Sequence, residues 1–171
     1  MAKGYRVTTF VRVSNWMVER LLRAGLPMGT KAFPMVLLTV RGRKSGQPRT
    51  TPVVMFERNG ERLLLGTFGE VNWVQNLRSA GEAVITRRRR SERVSATVLP
   101  AEEAGPILKA ALTAAAASRM TAGTTVPYFD VAPSAPVEDF VREAPRHPVF
   151  RIDRARGGAS ATGGAGASLA S

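Results

Sequence analysis

Val36-Leu37-Leu38-Thr39-Val40-Arg41-Gly42-Arg43-Lys44-Ser45-Gly46-Gln47-Pro48-Arg49-Thr50-Thr51-Pro52-Val53-Val54-Met55-Phe56 holds two short apolar runs around a basic centre. The runs over 36–41 and 50–57 are rich in β-branched residues and read as strands. Between them, Arg41 to Arg49 reads as a hairpin loop carrying Arg41, Arg43, Lys44 and Arg49 and no acid. Gly42 and Gly46 let the backbone bend and expose N–H groups, and Pro48 stiffens the return. Arginine forks bind phosphate in a bidentate way, and Lys44 adds a point charge. N–H groups beside a glycine add a small anion nest. The loop therefore suits an anionic group; the plainer reading is a solvated basic loop. Its glycines fit neither a Walker loop nor the glycine triplet of a dinucleotide fingerprint.

Outward from this hairpin the pattern is one of further hairpins. Pro52 puts its strand at an edge or beside a bulge. Asn59-Gly60 signals a type I′ turn into a strand over 62–68, which Gly69 breaks. Asn72 is placed to cap a short helix from Trp73 to Ser79 that ends near Gly81. Strands are expected over 82–88 and 92–99, with the run Arg87 to Arg90 in extended conformation. Residues 102–118 are alanine-rich with Ile107, Leu108, Ala111 and Leu112 on one face, which predicts a helix. A looser stretch holds Tyr128 and Phe129, and a short helix over 137–143 and a strand from His147 to Asp153 follow. Upstream, Ser14 is placed to cap a helix over 15–24, stopped by Gly25 and Pro27. Hairpin-connected strands with helices at the ends are satisfied by a small antiparallel barrel, because closure removes sheet edges. The expected organisation is an N-terminal arm over 1–10, a barrel domain over 11–153 and a disordered Gly/Ala/Ser tail over 154–171.

The 171 residues suit one domain with a core, and 44% of them are hydrophobic, a globular composition. There is no cysteine, which excludes disulfides, zinc–thiolate and iron–sulfur sites and a cysteine nucleophile. No apolar run approaches the ~20 residues that span a bilayer, and Arg6, Arg12 and Asn15 interrupt any secretory core. A cytoplasmic location is the expectation. The net charge of +12, from 25 basic and 13 acidic residues, favours anionic partners without choosing among them.

Protein-only catalysis is poorly supplied. His147 is the single histidine, and its neighbours Arg146 and Pro148 place it at a strand start, where it reads as structural. No cluster of histidines or carboxylates suggests a metal site. Glu102-Glu103 and Glu138-Asp139 complement helix N-termini. No residue is assigned a catalytic role, so a bound redox cofactor would have to carry the chemistry.

The run Leu37 to Val53 resembles the signature of the deazaflavin (coenzyme F-420)-dependent nitroreductase family. Asn59-Gly60, Asn72-Trp73-Val74-Gln75-Asn76-Leu77 and Pro145-Arg146-His147-Pro148-Val149-Phe150-Arg151-Ile152 match in register, so the resemblance covers roughly residues 10 to 153. It implies a mainly β fold with peripheral helices, a split β-barrel of the flavin-reductase and pyridoxamine-phosphate-oxidase kind. It implies coenzyme F-420 as cofactor, with FMN or FAD as the alternative, and hydride transfer to a small hydrophobic acceptor: a quinone, a nitroaromatic or an activated enone. By the same resemblance Arg43, Lys44 and Arg49, with Pro48 and the backbone at Ser45, Gly46 and Gln47, hold the cofactor phosphate. Trp73 and Asn76 lie near the ring or ribityl chain, Thr67 lies along the ring, and Val54 and Tyr128 face the substrate. Trp73 and Asn76 are nearly one helical turn apart and can face one site; the plainer readings are a core tryptophan and a loop-bonding amide. The chain departs from the family pattern where Val54 replaces a tyrosine, where Phe68 replaces a cofactor-holding lysine, and in a C-terminal tyrosine cluster of which only Tyr128 remains.

Two rival readings stand beside this one. The first is a lipophile-binding barrel without catalysis, peripherally attached to a membrane by the basic amphipathic helix that carries Trp16; the plainer reading packs that helix on the barrel. The second is a nucleic-acid module built on Arg87 to Arg90, which lacks interleaved stacking aromatics and any reading helix; no nucleic-acid partner is expected. Small barrels of this kind often pair, so a homodimer is compatible with the sequence.

Overall fold

The computed structural model describes residues 9–29, 33–119 and 121–155, with the side chains of 9–15 left out. Its frame is the basic hairpin: β1 (Met35–Arg41) pairs antiparallel with β2 (Pro48–Arg58), from Met35↔Val54 to Arg41↔Pro48. Asn59 and Gly60 then turn the chain at φ of 52° and 81° into β3 (Glu61–Leu65), the left-handed pair that a type I′ turn demands. After α2 (Asn72–Ala80) come β4 (Glu82–Arg87) and β5 (Arg90–Val98). The helix α3 (Ala101–Ala117), a single turn α4 (Ala122–Thr125) and α5 (Val137–Glu143) precede β6 (Val149–Arg154). The six strands close into an antiparallel barrel in the order β1-β2-β3-β6-β5-β4.

Alternation along the strands sorts the apolar residues into two cores. Val36, Leu38, Val40, Val53, Met55, Leu64, Ile85, Phe150 and Ile152 fill the barrel interior, where Val74 and Leu77 of α2 join them. α2 thus plugs one end of the barrel. On the outer face, Phe56, Leu63 and Val149 meet Ile107, Leu108 and Leu112 of α3 and Phe140 of α5. Strand neighbours such as Leu63 and Leu64, or Val149 and Phe150, therefore serve opposite cores, as the period of two requires.

Several boundaries differ from the sequence reading. The first helix, α1, spans Thr9–Arg23, so Ser14 lies inside it and does not cap it. Thr9 and Phe10 are helical, and the rest of the expected arm, 1–8, lies outside the described residues. α1 rests on the barrel through the buried Leu22, while Trp16 and Met17 are 57% and 53% exposed. Asn72 opens α2 as its first residue, after Val71 at the N-cap with no side-chain cap bond; the Gly81 stop, left-handed at φ 66°, is as expected. β3 ends at Leu65, because Gly66 to Gly69 already form a turn closed by the Gly69 N–H on the Gly66 carbonyl.

Arg87 to Arg90 is not an extended run. Arg88 and Arg89, at φ of 49° and 65°, form the β4–β5 turn, and Arg87 pairs with Arg90 across it. Pro52 sits where β2 has only β1 beside it, since pairing with β3 begins at Met55; its missing N–H costs no ladder bond there. β6 runs to Arg154, and the Ala155 N–H reaches the Arg93 carbonyl at 3.0 Å, so the barrel extends past the expected tail boundary. The remainder of that tail, 156–171, lies outside the described residues.

Candidate functional site

At the barrel end closed by α2, the β1–β2 loop, the first turn of α2 and the Gly66–Val71 segment enclose a cleft of about 540 Å³. Its cationic side is Arg43, Lys44 and Arg49, and Val40, Pro52, Phe68, Val71 and Trp73 give it apolar surface. Thr50, Thr51, Ser45, Asn72 and Asn76 complete the lining with Gly42. Among the described residues no acid, histidine or cysteine lines it.

The loop shape follows from local bonds. The Gly42 N–H donates to the Gln47 carbonyl at 2.9 Å, and the Gly46 N–H donates to the Gly42 carbonyl at 2.8 Å. Gly46 sits at φ 67°, which only glycine adopts without strain. A Cβ on Gly42 would lie 3.0 Å from Ser45 Oγ and 3.1 Å from the Gln47 carbonyl, so the loop could not keep this tightness with alanine there. Thr39 and Thr50 hydroxyls, 2.9 Å apart, bridge the strands near the loop base.

Asn76 ties the loop to α2. Its Oδ1 accepts both the Arg43 backbone N–H at 3.2 Å and the Arg43 Nη1 at 2.9 Å, and the residue is 6% exposed. The loop-bonding reading of Asn76 is therefore the observed one, although the side chain also lines the cleft. Trp73 packs its ring 6.0 Å from that of Phe150 in the barrel core while lining the cleft. The two predicted α2 residues do face one site.

The charge distribution makes this end one of two cationic regions that lack acids. Elsewhere many cations find acids: Arg23 with Glu19, Arg62 with Glu92, Arg78 with Glu70, Arg142 with Asp139, Arg146 with Asp130, and Arg151 with Glu61; the β4–β5 turn, Arg87 to Arg90, is a second region with no carboxylate partner among the described residues. Among the described residues Arg41, Arg43, Lys44 and Arg49 have no carboxylate partner. The first turn of α2, whose Asn72 and Trp73 line the cleft, holds no acid either. Glu70, two residues before it, is engaged by both Nη atoms of Arg78 at 2.9 and 2.6 Å. A helix N-terminus free of carboxylates adds to the positive potential.

The structure separates the sequence-predicted residues. Arg43, Lys44, Ser45, Arg49, Trp73 and Asn76 come together in the cleft lining. Gly46, Gln47 and Pro48 shape the hairpin without lining it. The expected nest at Ser45-Gly46-Gln47 is not open: the Gly46 N–H is spent on Gly42, and the Gln47 N–H lies 3.4 Å from Ser45 Oγ. Thr67 is next to the lining residue Phe68 and is not itself part of the wall. Tyr128 stands outside the cleft against Phe68, with centroids 4.8 Å apart in an edge-on contact. Val54, 43% exposed on β2, lies two residues beyond the lining residue Pro52. Sequence reasoning placed position 68 at the cofactor only as a departure from the family pattern, and it passed over Val71, Asn72, Thr50, Thr51 and Pro52 as wall residues. The signal was present for the last three, which directly follow the basic loop on the same strand.

A second depression, of about 350 Å³, lies at the opposite end of β1 and β2, between Phe33, Phe56, Ile107 and Arg87. It contains Glu57 beside Arg58 and Arg87, and the Arg58 Nη1 is bonded to the Pro106 carbonyl at 3.0 Å. It lacks the concentration of free cations that marks the cleft. Behind the cleft wall, His147 and Glu143 are 4% and 5% exposed and face one another.

The family model for F-420H(2)-dependent quinone reductase matches residues 10–129 of the chain. Among solved structures, one described as a domain-swapped dimer is 20% identical, with 85% of this chain and 100% of that chain covered and a TM-score of 0.47. An F-420H(2)-dependent reductase is 21% identical over 70% of this chain and 93% of that chain, with a TM-score of 0.43. An FMN-binding protein related to pyridoxamine 5'-phosphate oxidase, from Nostoc punctiforme, is 14% identical over 88% and 83%, with a TM-score of 0.41.

Proposed function

The chain belongs to the F-420H(2)-dependent quinone reductase family and is a reductase whose cofactor is coenzyme F-420, and from that premise we propose that the cleft between the β1–β2 loop and α2 is where cofactor and acceptor meet. The observation that carries this reading is the set of cations in the lining, Arg43, Lys44 and Arg49, without acids among the described residues and facing the apolar wall of one cleft. They suit the phosphate and carboxylates of the cofactor, which supplies a hydride when bound.

The chain's own residues orient and shield. Asn76 holds the Arg43 guanidinium at the cleft edge, so that its fork is pre-positioned rather than immobilised on binding. Trp73, Phe68, Val71 and Pro52 offer flat apolar surface to a tricyclic ring and a hydrophobic acceptor, and they exclude water. A cleft with cations and no carboxylate also favours negative charge developing on an acceptor oxygen. We read the acceptor as a small hydrophobic quinone, nitroaromatic or enone. Phe68, where the family pattern has lysine, makes this wall more apolar.

The test is a fluorescence titration with coenzyme F-420, with FMN and FAD in parallel. Lys44→Ala combined with Arg49→Ala is expected to raise the dissociation constant at least ~10-fold, or ~1.4 kcal/mol. An unchanged constant in that double variant removes the phosphate role. A second reading, attachment of α1 to a membrane interface, is favoured by the exposure of Trp16 and Met17 and by Arg20, 4.8 Å over the Trp16 ring. Among the described residues no helix is long and apolar enough to cross a membrane, so contact would be peripheral. Trp16→Ala should then bind anionic vesicles more weakly than wild type; equal binding eliminates that reading.

A further inference from the structure

The single histidine lies outside the cleft, yet its contacts lead into it. The His147 ring is sandwiched against Phe129, with centroids 3.9 Å apart and planes within 16°. Its Nε2 is 3.3 Å from Glu143 Oε1, and its Nδ1 is 3.4 Å from the Gly66 carbonyl. Both partners are acceptors and a neutral imidazole carries one N–H, so the ring donates to one of them at a time; the bond to Gly66 belongs to the tautomer protonated at Nδ1. Glu143 is fixed from two further sides: its Oε1 accepts the Asp130 N–H at 3.1 Å, and its Oε2 is 3.6 Å from Arg146 Nη1.

Gly66 is the hinge of this arrangement. Its N–H donates to the Pro148 carbonyl at 2.8 Å, and its carbonyl closes the turn by accepting the Gly69 N–H at 2.9 Å. A Cβ on Gly66 would fall 3.2 Å from Pro148 and from Val74 of α2, so the residue is wedged between the start of β6 and the plug helix. Two residues later Phe68 enters the cleft wall, and after Val71 comes α2 with Trp73 and Asn76. The same carbonyl that His147 approaches therefore fixes where the wall and the plug helix begin.

We propose that His147 is a positioning residue for the cleft: stacked on Phe129, it holds the Gly66 carbonyl through Nδ1–H and so sets the turn that presents Phe68 and launches α2. The inference deepens the reductase reading and rests on it for the identity of the ligand. A merely structural histidine would lose stability on any substitution. A positioning histidine would lose cleft geometry only when the Gly66 bond is lost.

Two substitutions separate these cases. In His147→Asn the side-chain amide can replace Nδ1 and reach Gly66; in His147→Gln it can replace Nε2 and reach Glu143. We expect the coenzyme F-420 dissociation constant of the Asn variant to stay within ~2-fold of wild type. That of the Gln variant should rise at least ~5-fold, although both melt below wild type. Amide exchange at Gly69 and Val71, measured without cofactor, should quicken in the Gln variant and not in the Asn variant. Equal constants and equal exchange in the two variants would overturn the proposal. Where either fails to fold, His147→Ala, which removes the Gly66 contact altogether, is read by the same exchange: faster exchange at Gly69 supports the proposal and unchanged exchange overturns it. A wild type that binds no deazaflavin defeats the reductase reading, while the exchange comparison still decides the role of His147.

Discussion

At the residue scale His147 has a second consequence. Burial strips water from the ring and pushes its pKa below the ordinary 6.5, against the opposing pull of the Glu143 charge and of the Gly66 and Thr67 carbonyls. Arg146 and Asp130, paired with one another beside Glu143, are the other charges at this position. A lowered folded pKa means that the unfolded chain binds the proton more readily. The stabilisation is then complete above ~6.5 and is lost as pH falls through the lowered value. Thermal unfolding of wild type and His147→Gln between pH 7.5 and 5 should show the wild type losing more of its stability, with the two curves converging toward acid. Parallel curves would contradict a ring buried in its neutral form. The sequence marked this residue only as the single histidine before a strand. Its partners are four residues back on α5 and 81 residues away at Gly66, and no local pattern announces the second of these.

Among the elements, the two tight hairpin turns make a natural comparison. β2–β3 uses Asn59-Gly60 and β4–β5 uses Arg88-Arg89, with both residues left-handed in each. Left-handed backbone costs an ordinary side chain ~1 kcal/mol, and asparagine or glycine less. Arg89 recovers part of that cost by donating its Nε to the Ala24 carbonyl at the end of α1, at 3.1 Å. Arg88 has no such partner among the described residues. Arg88→Asn should therefore raise stability by ~0.5–1 kcal/mol, seen as a melting rise of a few degrees. A melting temperature at or below that of wild type would show that Arg88 has a stabilising role of its own. This also explains why the Arg87–Arg90 run misled as sequence. Four like residues carry no turn chemistry, so propensity drew a strand through them, and the β4–β5 register overrode it. By contrast the Asn59-Gly60 turn, the Gly81 stop and the 137–143 helix were legible, because residue chemistry and tertiary context agree there.

At the scale of the whole molecule, the closed barrel was legible from hairpin spacing, and the basic loop from its composition. The plugging of one end by α2 was not, since it depends on Val74 and Leu77 entering the interior core rather than the outer one. That plug brings the basic loop, the helix N-terminus and Trp73 to one place, and it gives the net charge of +12 a direction. The cations paired with acids are largely neutralised locally, whereas Arg43, Lys44 and Arg49 over the cleft, like Arg87 to Arg90 at the β4–β5 turn, project fields unopposed by a carboxylate among the described residues. Unopposed surface charge speeds the encounter with an anion and is screened over ~10 Å at 0.1 M salt and ~3 Å at 1 M. Stopped-flow binding of coenzyme F-420 should then show an association rate falling ~10-fold between ~20 mM and ~500 mM NaCl, with the dissociation rate changing far less. Lys44→Ala should flatten that salt dependence. Arg142→Gln, which removes an equal charge from the pair with Asp139 on α5, should leave the slope as it is. If the two variants flatten it equally, the field belongs to net charge alone and the placement of cations at the plugged end steers nothing.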